Sequence, residues 1–182
     1  MENKMEGLFK TGIYETEQRS KVLRDNGFSP DPDWGGNFNY NYGYEADPRG
    51  ATELEVKSLE TSGYIRIPYK DVKFEEGTIK FPFDGYTYLV AKPTNTEIIT
   101  KPSTPYILRK SLVEGLLAAG FEKEEDEEIK HFTKDGLTVT VYYGCAEVTD
   151  GNVKISCPLQ SIICTKEYLV MSVAGTVILE TF

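Results

Sequence analysis

The chain has 182 residues, with 40% hydrophobic and 27% charged side chains; 20 basic and 29 acidic groups give a formal charge of −9. That balance excludes wholesale disorder, and the length suits one compact domain or two small ones. Both halves of the chain carry more acidic than basic groups. The basic face that phosphate binding needs is therefore missing, and direct contact with nucleic acid is not expected.

The first predicted element is a helix over Tyr14 to Asn26, with Val22 and Leu23 on its apolar side and Gly27 at the C-cap. Residues 29–50 follow, where prolines and glycines interrupt any regular period. Trp34, Phe38, Tyr40, Tyr42 and Tyr44 are interleaved there with Asn and Gly. Part of this stretch alternates at period two, as a strand would. Two readings of it stay open. It is an aromatic strand or loop packed over the core, or it is an adaptable contact surface in which tyrosines give large area at low entropy cost.

From Thr52 to Lys92 the period is two, and Asp84-Gly85 is a strong hairpin signal, so an antiparallel meander of four or five strands is predicted. Pro68 and Pro82 lack an N–H and point to edge strands or bulges. Residues 93–103, with a Lys-Pro pair and several threonines, read as a linker in which Glu97 to Thr100 can form a short strand.

A second helix is predicted from an N-cap at Thr104, with Pro105 at its first position and Leu108, Leu112 and Leu116 on one stripe. Gly120 closes it and Phe121 supplies the accompanying apolar contact. Gly115, inside this helix, costs about 1 kcal/mol relative to alanine, and a close approach of another element is one reason to keep it. The acidic run Glu122, Glu124, Glu125, Asp126, Glu127 and Glu128 follows. Hairpins at Asp135-Gly136, at Asp150-Gly151 and at Ala174-Gly175 then organise an antiparallel sheet in which Leu137, Val139, Val141 and Tyr143 share a face. Helix Thr104 to Ala119 is expected to pack its leucines on that sheet.

The chain thus reads as α+β, with antiparallel β-meanders each preceded by a helix, in two small subdomains: 1–92 and 104–182, joined by the 93–103 linker. Gly27-Phe28 and Gly120-Phe121 end their helices alike, and a meander follows each. This ending is common among helices, so duplication of one unit is one reading and two unrelated units the other.

Met1 is not followed by a basic region leading into an apolar stretch, and no window approaches the ~18 apolar residues of a membrane span, so neither secretion nor a membrane is expected. Cys145, Cys157 and Cys164 lack the Cys-x-x-Cys spacing of a zinc site. They read as free thiols in strands of a cytoplasmic protein. His131 is the only histidine, and every Ser/His/Asp or Cys/His scheme would have to use it. Neither a Gly-x-Ser-x-Gly elbow nor a phosphate loop is present. Asp31, Asp33, Glu45 and Asp47 bracket the aromatic segment, but as ordinary turn acids they match no calcium loop. No catalytic residue, metal or cofactor is assigned.

An acidic surface is attracted to proteins whose own surface is built to hold nucleic acid. Glu122 to Glu128 can set carboxylates where phosphates would lie. A small, acidic, motif-free α+β chain with such a run resembles the anti-CRISPR proteins of phages and mobile elements, in particular inhibitors of type II CRISPR nucleases. The resemblance implies a non-catalytic inhibitor that competes with nucleic acid for a basic nucleic-acid-handling protein such as a CRISPR nuclease. That group shares no common sequence pattern, so no residue carries over from it. The partner-contact candidates are the acidic run together with Trp34, Tyr40, Tyr42 and Tyr44. The alternatives are a structural or interaction module of a phage or mobile element, and a small enzyme or ligand binder.

Overall fold

The computed structural model describes residues 13–30, 38–40, 44–58, 63–75, 78–90, 105–124, 129–174 and 176–182. Among these the fold is α+β and mostly β. Helix α1 (Ile13–Asp25) is followed by β1 (Ser29–Pro30), β2 (Phe38–Tyr40), β3 (Tyr44–Asp47), β4 (Glu53–Ser58) and β5 (Tyr64–Pro68). A 3-10 turn (Tyr69–Asp71) then leads to β6 (Lys73–Glu75), β7 (Thr78–Phe83) and β8 (Tyr86–Leu89). Helix α2 (Pro105–Ala118) is followed by β9 (Glu122–Glu124), β10 (Lys130–Lys134), β11 (Leu137–Val141), β12 (Cys145–Thr149) and β13 (Lys154–Pro158). A second 3-10 turn (Leu159–Ser161) leads to β14 (Ile162–Cys164), β15 (Tyr168–Val173) and β16 (Thr176–Thr181).

The second half repeats the first element by element. One ten-stranded antiparallel sheet runs β1-β2-β3-β4-β5-β13-β12-β11-β10-β9, and two three-stranded sheets run β6-β7-β8 and β14-β15-β16. The register repeats as well as the order. Phe38 opposite Ala46 becomes Phe132 opposite Val139, and Val56 opposite Ile65 becomes Val148 opposite Ile155. Lys80 opposite Leu89 becomes Val170 opposite Leu179. Even the backbone bond that anchors the first 3-10 turn, Tyr69 N–H to the Thr52 carbonyl at 3.1 Å, recurs as Leu159 N–H to the Gly144 carbonyl at 3.4 Å.

The two halves meet where β5 pairs antiparallel with β13, with Ile65 directly opposite its own counterpart Ile155. A pseudo-twofold axis passes through that pair. Alternation along each strand puts every second side chain on one face. Across the sheet this builds one continuous buried row: Phe38, Ala46, Val56, Ile65, Ile155, Val148, Val139 and Phe132. The smaller sheets turn their own buried rows inward, and β15 packs beneath β13, so a single apolar cluster runs through both halves.

Both helices end with the same pair of backbone bonds. Phe28 N–H donates to the Leu23 carbonyl at 3.0 Å and Gly27 N–H to Arg24 at 3.1 Å; Phe121 donates to Leu116 at 3.0 Å and Gly120 to Leu117 at 3.1 Å. This arrangement satisfies the last helical carbonyls and swings the following phenylalanine onto the core. Leu23, Phe28, Leu116 and Phe121 are all buried. Asp84 and Asp135 adopt φ of 47° and 48° ahead of a glycine also at positive φ, as two-residue hairpins require.

Several sequence expectations change. Leu112 and Leu116 are buried and Leu108 is partly so, but the elements α2 meets most are β14 and the second 3-10 turn rather than the strands Leu137 to Tyr143. The first half has a matching contact, with Arg19 of α1 lying over the Tyr69 ring of the first 3-10 turn. Tyr143 lies beyond β11 and is 73% exposed, because the chain turns at Tyr143-Gly144. Pro68 and Pro82 sit in interior strands. They are tolerated because pairing of β5 with β13 stops at Arg66, and pairing of β7 with β6 stops at Lys80. The linker 93–103, the Thr104 cap and the segment after Met1 lie outside the described residues.

Gly115 has a specific cause. A Cβ there would lie 2.0 Å from the Cys164 carbonyl oxygen. Helix propensity alone favours Gly115→Ala by about 1 kcal/mol. Overpacking against a strand backbone costs ~1–3 kcal/mol and outweighs that gain. Gly115→Ala is therefore expected to lower the denaturant midpoint, and an unchanged or raised midpoint would show that β14 yields freely.

Candidate interaction surface

The second face of the ten-stranded sheet carries the polar half of the alternation. One cross-strand row reads Lys57, Tyr64, Ser156, Glu147, Thr140 and His131. Cations on this face are paired in place. Lys57 Nζ is 2.9 Å from Glu45, Arg66 Nε is 3.2 Å from Glu55, and Lys154 Nζ is 3.7 Å from Glu147. The Arg66 guanidinium also lies 4.4 Å over the Tyr64 ring. Such a face offers little net positive charge to a phosphate backbone. Asp47 is held by Arg49 at 2.9 Å; burial alone would raise its pKa, but the hydrogen bonds and charge of Arg49 leave it lowered.

The acidic run begins on the sheet's edge. Glu122, Lys123 and Glu124 form β9, all three exposed, paired on one side with β10. The first three residues of the run repeat β1, the matching edge of the other half. A groove of about 500 Å³ lies beside β9, with Glu122, Thr133, Asp135 and Thr138 in its lining. Glu125, Asp126, Glu127 and Glu128 lie outside the described residues, as do Trp34 and Tyr42. Tyr40 and Tyr44 stand opposite each other where β2 meets β3. The described strands of the aromatic segment, β2 and β3, thus lie towards the far end of the sheet from β9.

The remaining candidates are separated. His131 is half-buried on β10, with Nδ1 3.1 Å from the Thr140 hydroxyl. Asp31 and Asp33 lie outside the described residues, and Glu45 and Asp47 are each paired with a cation. Among the described residues no group of three His, Cys, Asp or Glu side chains converges to hold a metal, and no helix is long and apolar enough to cross a membrane. Cys145, Cys157 and Cys164 are free thiols on β12, β13 and β14. Burial pushes Cys157 up to about 12 and Cys164 up to about 11, and it raises Cys145 as well.

Two buried charged side chains were missed by the sequence reading. Arg19 on α1 is fully buried: its Nε donates to the Pro48 carbonyl at 2.9 Å, and its guanidinium lies 4.4 Å over the Tyr69 ring. The Tyr69 hydroxyl lies 2.9 Å from the Pro48 carbonyl and 2.7 Å from that of Gly50. Burial pushes this phenol up to about 12, which keeps it a donor. At the matching positions of the second half stand Leu112 and Leu159, both buried. The other is Glu180 on β16, 6% exposed. Thr176, Ile178 and Glu180 alternate onto one face, and that period was the available signal for an inward carboxyl.

No family model matches the chain, and no curated protein and no solved structure matches it either.

The thiol environments give a direct check. Thiolate is the reactive form, and burial disfavours it. In the native chain at neutral pH a thiol reagent is expected to modify Cys145 first, while Cys157 and Cys164 react only after denaturant is added. Equal reaction at all three sites in the native state would contradict their burial.

Proposed function

We propose that the chain is a non-catalytic cytoplasmic protein that inhibits a basic nucleic-acid-handling protein by occupying part of the surface where nucleic acid would lie. A type II CRISPR nuclease is the partner class that the anti-CRISPR resemblance suggests. The observation that carries this reading is the β9 edge. Two carboxylates on three exposed residues open an acidic run at the rim of the large sheet, on a chain of net charge −9. Compensation of Lys57, Arg66 and Lys154 within the sheet face supports the same sign of partner, because the surplus negative charge stays uncancelled at the rim.

A second reading is a structural or interaction module of a phage or mobile element. The repeated helix-led meander favours it: a twofold-like body ends in two equivalent edges, β1 and β9, that can each meet a neighbour. In both readings the two helix-led halves, 1–92 and 104–182, act as one body, because they share the ten-stranded sheet and one apolar cluster.

Exposed carboxylates contribute little singly and more as a group facing a desolvated basic groove. Replacing Glu124, Glu125, Asp126, Glu127 and Glu128 together by the matching amides is expected to abolish inhibition of a type II CRISPR nuclease with the fold intact. Binding by the unmodified chain should weaken as salt rises. Tyr40, Tyr42 and Tyr44 changed to alanine is the matched variant, with Tyr40 and Tyr44 on β2 and β3 at the opposite end of the sheet. Loss of inhibition only in the tyrosine variant would move the contact to the aromatic segment. Full activity in both variants, or binding indifferent to salt, would overturn the reading.

A further inference from the structure

Two outer sheets that repeat one another meet along β8 and β16, and the seam between them holds a carboxyl group that the fold does not need. Thr176 Oγ1 donates to the Leu89 carbonyl at 2.9 Å, and the Tyr88 hydroxyl donates to the Leu179 carbonyl at 3.3 Å. These bonds tie the last strand of one half to the last strand of the other. Beside them, Glu180 lies in the inward row Cys164, Leu169, Glu180. The matching row of the first half is Phe74, Ile79, Val90, apolar throughout and buried. The repeat therefore shows that valine suffices at this place.

Glu180 is more than nine-tenths buried, and its Oε1 has no hydrogen-bond partner. The charged groups acting on it come from the turns of both halves and are acidic. Asp84 belongs to the β7–β8 turn and Asp150 to the β12–β13 turn, and both push the Glu180 carboxyl towards its protonated form. Asp150 is fixed in place, with Oδ2 accepting from the Asp84 N–H at 3.0 Å and Oδ1 from the Asn152 and Val153 N–H groups at 2.9 Å. From β8 the titratable neighbours are Tyr86 and Tyr88, and Tyr88 is raised by burial and by Glu180. From β14, across β15, the row contributes the buried thiol of Cys164. Like charges held this close cannot all ionise, so a proton is the compensating charge.

We infer that the Glu180 carboxyl keeps its proton at neutral pH and donates it to Asp84, latching the outer sheet of the second half to that of the first, and that loss of this proton loosens the β8–β16 seam. Burial, then the hydrogen bond and charge of Asp84 and the charge of Asp150, raise Glu180 from the ordinary 4.5 to about 8. The folded chain thus holds this proton more tightly than the unfolded chain. The stabilisation is complete below the ordinary value and is lost as pH rises through the raised one.

The test follows the side-chain carbonyl carbon of 13C-labelled glutamate in the full chain by NMR, from about pH 4 to 10. Amide exchange in β8 and β16, corrected for the intrinsic rate, is followed over the same range. One resonance, absent from Glu180→Gln, is expected to titrate near the raised value, and seam protection is expected to fall about tenfold or more across the same range. In Glu180→Val, which installs the residue of the other half, protection should no longer depend on pH. If that variant fails to fold, Glu180→Gln should show the same loss of pH dependence with its donor retained. A Glu180 resonance titrating in the ordinary carboxylate range would overturn the latch. So would pH-dependent seam protection that persists in either folded variant.

Discussion

The antiparallel junction of β5 with β13 is the constraint on which the rest of the molecule depends. Only three residue pairs make it: Tyr64 with Ser156, Ile65 with Ile155, and Arg66 with Lys154. Side-chain direction alternates at every residue, so a slip of one position would turn the buried row on one side of the junction out to solvent. The register is held from both faces. Ile65 and Ile155 are fully buried beneath, each worth about 1.5–3 kcal/mol of apolar burial. On the other face, Arg66 stands opposite Lys154, a like-charge pair made acceptable by Glu55 and Glu147 beside it. Gly63 lets the strands approach, since a Cβ there would lie 2.7 Å from the Ser156 carbonyl oxygen. By joining the halves here, the chain pairs two five-residue strands in the interior and, among the described residues, leaves β1 and β9 as the edges of the large sheet. Those edges are short, one ending in Pro30 and the other charged throughout, which are the usual devices against edge-to-edge pairing.

Once one topology is used twice, each half reports what the fold needs from the other. Leu112, Leu159 and Val90 fill the places equivalent to Arg19, Tyr69 and Glu180 and are buried, so an apolar side chain serves at each of them in the matching half. The polar versions answer local circumstances. Between β3 and β4 the first half runs through Pro48, Arg49, Gly50 and Ala51, and this connection presents the Pro48 and Gly50 carbonyls that Arg19 and Tyr69 bind. A polar network of this kind is stable only when its members are satisfied. Glu180 departs from that rule, with one oxygen left unpaired. Buried polar groups that the matching half does without are where local consistency has been given up, and such places are the first to examine for a role beyond folding.

Periodicity and turn chemistry made much of the fold legible. Asp84-Gly85 and Asp135-Gly136 turn as expected, and the leucine stripe of α2 is buried at Leu112 and Leu116. The repeat was visible only as two Gly-Phe helix ends, because the halves conserve burial rather than identity. Ile67 corresponds to Cys157, Tyr69 to Leu159, Val72 to Ile162 and Phe74 to Cys164, substitutions that keep an apolar inward side chain and little else. Long-range pairing is the part that period-two patterns cannot encode. Nothing local to Tyr64–Pro68 names Lys154–Pro158 as its neighbour across some 90 residues of chain. The candidate contact residues were legible as composition, but the placement of Glu122 and Glu124 at one end of the sheet and of Tyr40 and Tyr44 at the other was not.

Charge distribution ties the sheet to the proposed activity. Cations on the open face stand beside carboxylates of neighbouring strands, so that face is near neutrality by construction, and its pairs are partly shielded from solvent. Surplus acid is displaced to two kinds of place. At the β9 rim it is solvated, screened by salt and free to meet a basic partner. In the β8–β16 seam it is buried, where solvent cannot screen it and only a proton can cancel it. The same net charge therefore has two physical consequences in one chain. The first depends on ionic strength and the second on pH, and because they act at separate places in the fold, salt and pH can be varied to address each alone.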